Sequence, residues 1–141
     1  MILKIRWFKW LPVIAWCFLI FYFTSSPLAT GNSTAKIIAE NTNLPYNGIE
    51  MVNVAIRKYA HLTAFGILAI LFLRAMLPCR RTYLLAWAFT TLYAFSDEWH
   101  QAFVPGRSAS VRDVMLDSMG ALIFLAAHYV IRRQIAKTPN G

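Results

Sequence analysis

The segment 96–101 reads Ser-Asp-Glu-Trp-His-Gln and contains two carboxylates and an imidazole. At helical spacing, Asp97 lies three residues from His100 and four from Gln101, so these side chains can share one face. Carboxylates beside an imidazole can bind a ligand or a metal, or transfer protons. The preceding apolar run, 83–95, makes about 20 Å of helix against a bilayer core of about 30 Å. The polar segment must therefore help to span a membrane, where ionisable groups are costly and usually functional.

Polar residues elsewhere in the chain can meet this segment. Arg57 and His61 lie four residues apart and share a face of a predicted helix. Asp117 lies one turn inside another predicted helix, at a similar depth. Asp113 fits a capping position at the start of that helix, and Arg107 lies in a Pro-Gly-Arg turn, where it can neutralise carboxylates or hold an anionic group.

These residues form the predicted ligand-binding set: Arg57, His61, Ser96, Asp97, Glu98, His100, Gln101, Arg107, Asp113 and Asp117. The candidates for a catalytic residue are Asp97, Glu98, His100 and Asp117. No metal site is predicted because the chain has no His-Glu-x-x-His motif, although His61, His100 and Glu98 carry suitable donor atoms. Nothing in the sequence identifies a cofactor. A nucleophilic hydroxyl at Ser25, Ser26 or Ser96 would need His61 or His100 within reach.

The composition predicts an integral membrane protein. Of the 141 residues, 58% are hydrophobic and 14% are charged, against about 45–50% apolar residues in soluble domains. Four apolar segments predict an all-α bundle of four transmembrane helices in a single domain over 1–141, with helices at about 8–24, 57–77, 83–103 and 112–132 and an outer loop at 25–56. Within that loop, 33–40 has helical character, and the amphipathic stretch 48–56 favours an outward extension of the second span.

The charge distribution predicts the orientation. Lys and Arg outnumber Asp and Glu by 14 to 6, and the basic residues gather before the first span, between the second and third, and after the fourth. The positive-inside rule places these groups and both termini in the cytoplasm. All six acidic residues then fall at the outer end. Because the basic residues flank membrane spans, the excess positive charge does not indicate nucleic-acid binding.

The order and spacing of the motifs resemble those of the VanZ-like family. The matching residues are Ser25-Ser26-Pro27, Arg57-Lys58-x-x-His61, Tyr93-Ala94-x-Ser96-Asp97-Glu98-x-His100-Gln101-x-Phe103-Val104-Pro105-Gly106-Arg107 and Asp113-x-x-x-Asp117-x-x-Gly120. The resemblance implies a small multi-pass protein of the bacterial cytoplasmic membrane, in a family named after a member associated with resistance to the glycopeptide teicoplanin. It implies no settled reaction. Family members often have Gly where this chain has Phe124, which argues against close helix packing there, and often Asn in place of Asp117, which argues against an obligatory carboxylate.

Three functional hypotheses follow. The favoured one is a polar pocket at the outer leaflet that binds a lipid or lipid-linked cell-wall intermediate and thereby alters glycopeptide susceptibility. The second is a membrane enzyme that modifies an envelope lipid by carboxylate and histidine chemistry. The third is a polar knot that ties the helices together or binds a partner. The sequence leaves a homo-oligomer open.

Overall fold

The computed structural model describes residues 7–26, 31–79, 81–105 and 109–137. In these ranges the protein is all-α, as predicted, with helices joined by short turns and no strand. The helices are α1 (Leu11–Ser25), α2 (Gly31–Asn41), α3 (Tyr46–Met76), α4 (Thr82–Gln101) and α5 (Val111–Ile135).

Much of the region predicted as an outer loop, 25–56, is helical. Helix α2 occupies much of it, in agreement with the helical character expected at 33–40, and α3 begins at Tyr46. The predicted span at 57–77 is thus only the inner part of a 31-residue helix. Pro45, with extended backbone at the N-cap position, starts α3, since proline suits a helix start and not a helix interior. The expected extension of this helix through 48–56 is confirmed.

Helices α4 and α5 begin and end close to their predicted limits. The polar segment 96–101 forms the last turns of α4, so it continues the apolar helix. Helix α5 begins at Val111, and the hydroxyl of its N-cap residue Ser110 accepts a hydrogen bond from the Arg112 N–H at 3.3 Å.

Helices α1 and α4 run in the same direction. The Tyr93 hydroxyl donates to the Cys17 carbonyl at 2.6 Å, and further along both helices the Thr24 hydroxyl donates to Asp97 at 2.7 Å. From the first contact to the second, the residue numbers increase along both helices, so α1 and α4 are parallel.

Helices α3 and α5 also run parallel to each other, and they approach closely. A Cβ atom at Gly120 would overlap with the carbonyl oxygen of Leu62, and one at Gly66 would overlap with the ring of Phe124. Gly66 therefore provides the space that Phe124 fills, which corrects the expectation that Phe124 prevents close packing at this point.

The two parallel pairs point in opposite directions. Tyr83, near the start of α4, contacts His128 near the end of α5, with 2.9 Å between the hydroxyl oxygen and Nδ1. Trp87, one turn later on α4, donates from Nε1 to Ser118, earlier on α5, at 3.0 Å. The bundle therefore has an acidic end, defined by Asp97, Glu98, Asp113 and Asp117, and a basic end, defined by Arg74, Arg81, Arg132 and Arg133.

The surface of the bundle supports a membrane protein. Within the described ranges, α3 and α5 are long and apolar enough to cross a membrane, and α1 is a shorter apolar helix. Large apolar side chains such as Phe18 (69% exposed) and Leu92 (64%) face outward, whereas Asp97 (4%) and Asp117 (1%) are buried. Apolar groups outside and carboxylates inside are the arrangement that a lipid environment favours.

Candidate functional site

Asp97 is a buried carboxylate with a neutral donor on each oxygen. Its Oδ1 accepts from the Thr24 hydroxyl and its Oδ2 from Gln101 Nε2, both at 2.7 Å. Among the described residues, no basic side chain lies within ion-pair distance of it. The predicted shared face of Asp97 and Gln101 is confirmed, and the bond to Thr24 ties α4 to α1.

Glu98 connects α4 to the start of α5. It is buried, and its Oε1 accepts from the backbone N–H of Ser110 at 2.5 Å. In a capping box that N–H would bond to the acidic residue three positions later, Asp113. The predicted capping role of Asp113 is therefore corrected: Glu98 supplies this contact from the neighbouring helix. A carboxylate at a helix N-terminus also interacts favourably with the helix dipole.

Asp117 pairs with His61 across the α3–α5 contact. His61 Nδ1 lies 3.5 Å from Asp117 Oδ2. The other oxygen, Oδ1, is buried and has no hydrogen-bond partner among the described residues. Asp97, Glu98 and Asp113 all interact electrostatically with Asp117. The structure thus brings polar residues of α3, α4 and α5 together at the acidic end.

His100 faces α1 and contacts Ser25. Its Nε2 lies 3.1 Å from the Ser25 hydroxyl oxygen, and its ring centroid lies 4.5 Å from that of Phe21. The Ser25 hydroxyl is also 2.6 Å from the Phe21 carbonyl, to which it can donate. Of the serines considered as nucleophiles, Ser25 thus has a histidine nitrogen within hydrogen-bond distance.

Other members of the predicted set lie apart from these contacts. Ser96 is exposed, and its hydroxyl donates to the Tyr93 carbonyl of its own helix at 2.8 Å. Arg107 lies outside the described residues, so its predicted role has no structural counterpart here. In the part of the chain that the structure describes, no three His, Cys, Asp or Glu side chains are grouped so that they could hold a metal ion.

A cavity of about 390 Å³ lies between α1, α2 and α3. Its polar lining residues are Thr24, Thr34, Arg57 and His61, and its apolar lining residues are Trp16, Leu19, Ile20, Phe23, Ile56, Ala60, Ala64 and Phe65. Because Arg57 and His61 both line it, their predicted common face of α3 is confirmed. The polar residues lie toward the acidic end, and the apolar residues extend toward the middle of the bundle.

Two lining residues connect the cavity to the buried carboxylates. Thr24 donates to Asp97, and His61 pairs with Asp117. Neither carboxylate lines the cavity itself. Of the groups that do line it, the guanidinium of Arg57 carries a permanent positive charge. All six acidic residues lie in the described ranges, and none is within 4.0 Å of that guanidinium.

Thr24 contributes to the site but is not among the residues predicted for it. Thr24 is buried near the end of a mostly apolar helix. A hydroxyl at the end of an apolar run was the sequence feature that could have indicated a polar contact there. A hydroxyl next to a predicted helix end is more often assigned to capping or to the backbone of its own helix. Only the arrangement of α1 against α4 shows that it reaches Asp97.

Comparison with known proteins identifies one relationship. The family model described as VanZ/LLP1 matches residues 8–132, nearly the whole chain. No curated protein and no solved structure gives a significant match.

Proposed function

Because the chain belongs to the VanZ/LLP1 family, we propose that it is a multi-pass protein of the bacterial cytoplasmic membrane in which α1, α3, α4 and α5 span the bilayer. The opposed directions of the two helix pairs support four crossings, since each crossing reverses the chain. The basic residues at one end support cytoplasmic termini by the positive-inside rule. The acidic end then faces outward.

The proposed function is binding of a lipid or a lipid-linked cell-envelope component in the cavity between α1, α2 and α3. The carrying observation is the polarity gradient along this cavity. On α3, Arg57 lies at the acidic end and Ala64 about two turns deeper; on α1, Thr24 lies outward and Trp16 about two turns deeper. A lipid of the outer leaflet has the same orientation, with its head group outward and its chain toward the midplane.

The size of the cavity supports this proposal. Its volume of about 390 Å³ lies within the roughly 300–1,000 Å³ of small-molecule sites, which are mostly apolar with a few polar groups that fix orientation. Such a space holds the head group and the adjoining part of one chain. The rest of the chain would remain in the bilayer.

The proposed consequence is a changed response of the cell envelope to glycopeptides. A protein that holds an envelope lipid at the outer face alters what a membrane-associated antibiotic can reach there. The association of one family member with teicoplanin resistance motivates this step. The measurement is teicoplanin susceptibility of cells with and without the protein at matched membrane abundance.

The most direct test of lipid binding fills the cavity. Ala60 lines it and Ala55 does not, and both are exposed alanines of α3. We expect Ala60→Trp to occupy the space of the lipid chain and to remove lipid that co-purifies with the protein. Ala55→Trp should retain it. Lipid bound per protein is measured by native mass spectrometry after matched purification.

Equal lipid content in Ala60→Trp, Ala55→Trp and the unmodified chain would overturn the proposed lipid site. Both variants should keep the helicity of the unmodified chain, since the substituted positions are exposed. A loss of helicity confined to Ala60→Trp would redirect the test to Ala64→Leu, which narrows the same cavity by a smaller volume.

A second candidate function is hydrolysis or transfer of an ester-linked envelope lipid, favoured by the 3.1 Å contact between Ser25 and His100. His100 would accept the hydroxyl proton while the Ser25 oxygen attacks the carbonyl carbon, forming an acyl-serine and releasing the alcohol with that proton. Water or an acceptor alcohol would then attack the acyl-serine, give its proton to His100 and release the acyl group, and the proton would return to Ser25. Ser25→Ala should then abolish turnover of a labelled ester lipid without reducing lipid binding. An unmodified chain that turns over no such lipid would eliminate this candidate.

The buried carboxylates also support the third hypothesis, in a restricted form. Both oxygens of Asp97 accept hydrogen bonds, from Thr24 and Gln101, and Oε1 of Glu98 accepts one from the Ser110 N–H. We therefore assign these two acids to holding the helices and assign Arg57 and His61 to the binding cavity.

A further inference from the structure

We infer that the ligand of this cavity is an amphiphile with an anionic oxyanion head group, such as the phosphodiester of an acidic phospholipid, and that Arg57 binds it. The inference rests on the proposed lipid-binding function and specifies the chemical class of the lipid. It depends on three features of Arg57: its charge, its surroundings and its position.

Arg57 is a half-buried cation without an acidic partner. Its side chain lines a mostly apolar cavity, and no carboxylate lies within ion-pair distance. A guanidinium remains charged at every physiological pH and carries five N–H donors. Partial removal of such a group from water is costly unless an anion compensates it. An oxyanion in the cavity would supply both the opposite charge and hydrogen-bond acceptors.

The environment of Arg57 holds it beside the cavity. A Cβ atom at Gly31 would lie 3.0 Å from Arg57 Nη1, so the guanidinium packs against the start of α2 where no side chain intervenes. One turn earlier on α3, the buried Asn53 donates from Nδ2 to the Gly31 carbonyl at 2.8 Å. This bond fixes α2 against α3 at the level of Arg57. The cation is thus positioned before a ligand arrives, which reduces the entropy lost on binding.

The sign of the charge excludes a cationic head group as the preferred ligand. No acidic residue lines the cavity. Asp97 and Asp117 contact the lining residues Thr24 and His61 but do not line it themselves. A ligand in the cavity therefore meets the guanidinium and not the acids. An anionic head group would pair with Arg57 at the outer end while its chain follows the apolar wall toward Trp16.

The test compares lipids that share their chains and differ in charge. The purified full chain is titrated in detergent with phosphatidylglycerol and with uncharged diacylglycerol of the same acyl composition, and bound lipid is counted by native mass spectrometry. The unmodified chain should prefer phosphatidylglycerol. Arg57→Gln should lose about tenfold in affinity for it, the size of one charge-assisted contact, and should bind diacylglycerol unchanged. Arg57→Lys should fall between the two.

Lys58→Gln is the matched control because Lys58 is the adjacent cation, is exposed and does not line the cavity. It should bind phosphatidylglycerol as the unmodified chain does. An equal loss in Lys58→Gln would show a general surface-charge effect and overturn the inference. Inorganic phosphate, added at millimolar concentration, should not displace the lipid; displacement would show an ion site without a chain requirement and would also overturn it.

Two further outcomes separate the inference from the function on which it rests. If the unmodified chain binds phosphatidylglycerol and diacylglycerol equally and Arg57→Gln changes neither, the lipid site remains but the oxyanion inference fails. If the unmodified chain binds neither lipid, both fail.

Discussion

The contact between α3 and α5 and the contact between α1 and α3 are built in different ways. At the first, Gly120 brings the backbone of α5 against that of α3 at Leu62, and Gly66 admits the ring of Phe124. At the second, long side chains bridge the gap, as when Trp16 donates to the Ala64 carbonyl at 2.9 Å. At the first contact the helices approach closely at both glycines, and the second contains the cavity of about 390 Å³.

The α3–α5 contact is therefore expected to be rigid, and we call it the frame. The α1–α3 contact is expected to be adaptable, and we call it the wall of the cavity. Close-packed helices resist displacement because any shift creates overlaps or voids, whereas a wall held by a few hydrogen bonds can adjust to a ligand. Small residues at helix contacts and hydrogen bonds between helices are the two main means by which helices associate in membranes. In this protein the glycines act at the α3–α5 contact, beside the His61–Asp117 pair. The proposed lipid site lies at the α1–α3 contact, which the Trp16 hydrogen bond spans.

The largest expected effect is that of Gly120→Ala. The added methyl group overlaps with a backbone oxygen that cannot move by side-chain rotation, so α3 and α5 must separate. We expect a loss of about 3 kcal/mol in the free energy of unfolding, at the upper end of overpacking costs. Unfolding in detergent followed by circular dichroism measures it. The control is Gly48→Ala, whose Cβ would make ordinary contacts of 3.5 Å and should be neutral or stabilising.

A smaller effect is expected for Gly66→Ala, because its clash is with the ring of Phe124 rather than with backbone. We expect a cost of about 2 kcal/mol. Phe124→Leu in the same chain should recover part of this cost, so the double variant should be more stable than the sum of the single effects predicts. Strict additivity would show that the two residues do not share the space as described.

The next smaller loss of stability is expected on removal of the hydrogen bond between α1 and α4. Thr24→Val keeps the shape of the side chain but removes the donor to Asp97 Oδ1. Loss of an intramolecular hydrogen bond costs about 0.5–1.5 kcal/mol, and we expect the upper value because Asp97 is buried and loses one of its two donors. Thr63→Val, at an exposed position of α3, should change stability by less than about 0.5 kcal/mol. An equal cost for both would remove Asp97 from the helix-holding role.

The smallest effect is expected for Trp16→Phe, which removes one neutral hydrogen bond across the α1–α3 contact. Such bonds between helices in membranes contribute about 0.6 kcal/mol on average. The exposed Trp99 provides the control variant Trp99→Phe, which should leave unfolding unchanged. If Trp16→Phe destabilised the protein more than Gly120→Ala, the α1–α3 contact would be the rigid one, which would contradict the comparison of the two contacts.

Much of the helix pattern was predictable because it depends on local properties. The polar segment 96–101 was expected to continue an apolar helix and does so in α4. The start of α5 at Val111 followed from Ser110, a good N-cap residue. The predicted span began at residue 57, whereas α3 begins at Tyr46. Residues 46–56 are amphipathic and too polar to count as part of a membrane span, so they fell within the predicted loop.

The individual contacts of the site were less predictable. Spacing placed Arg57 and His61 on one face, and both line the cavity. Spacing could not show that Ser96 turns to its own helix, or that Glu98 replaces Asp113 as the partner of the Ser110 N–H. Each of these outcomes depends on the rotation of one helix against another, which small shifts in packing decide.

The sequence by itself determined that this chain forms apolar helices with basic residues at one end and acidic residues at the other, because hydrophobicity, charge and periodicity are read directly from residue order. The tertiary structure alone decided which carboxylates hold the helices together and which cation lines the cavity. Thr24 and Asp97 are 73 positions apart, and no local rule brings them together. Their contact exists because close packing of α3 and α5 sets the frame against which α1 and α4 are placed.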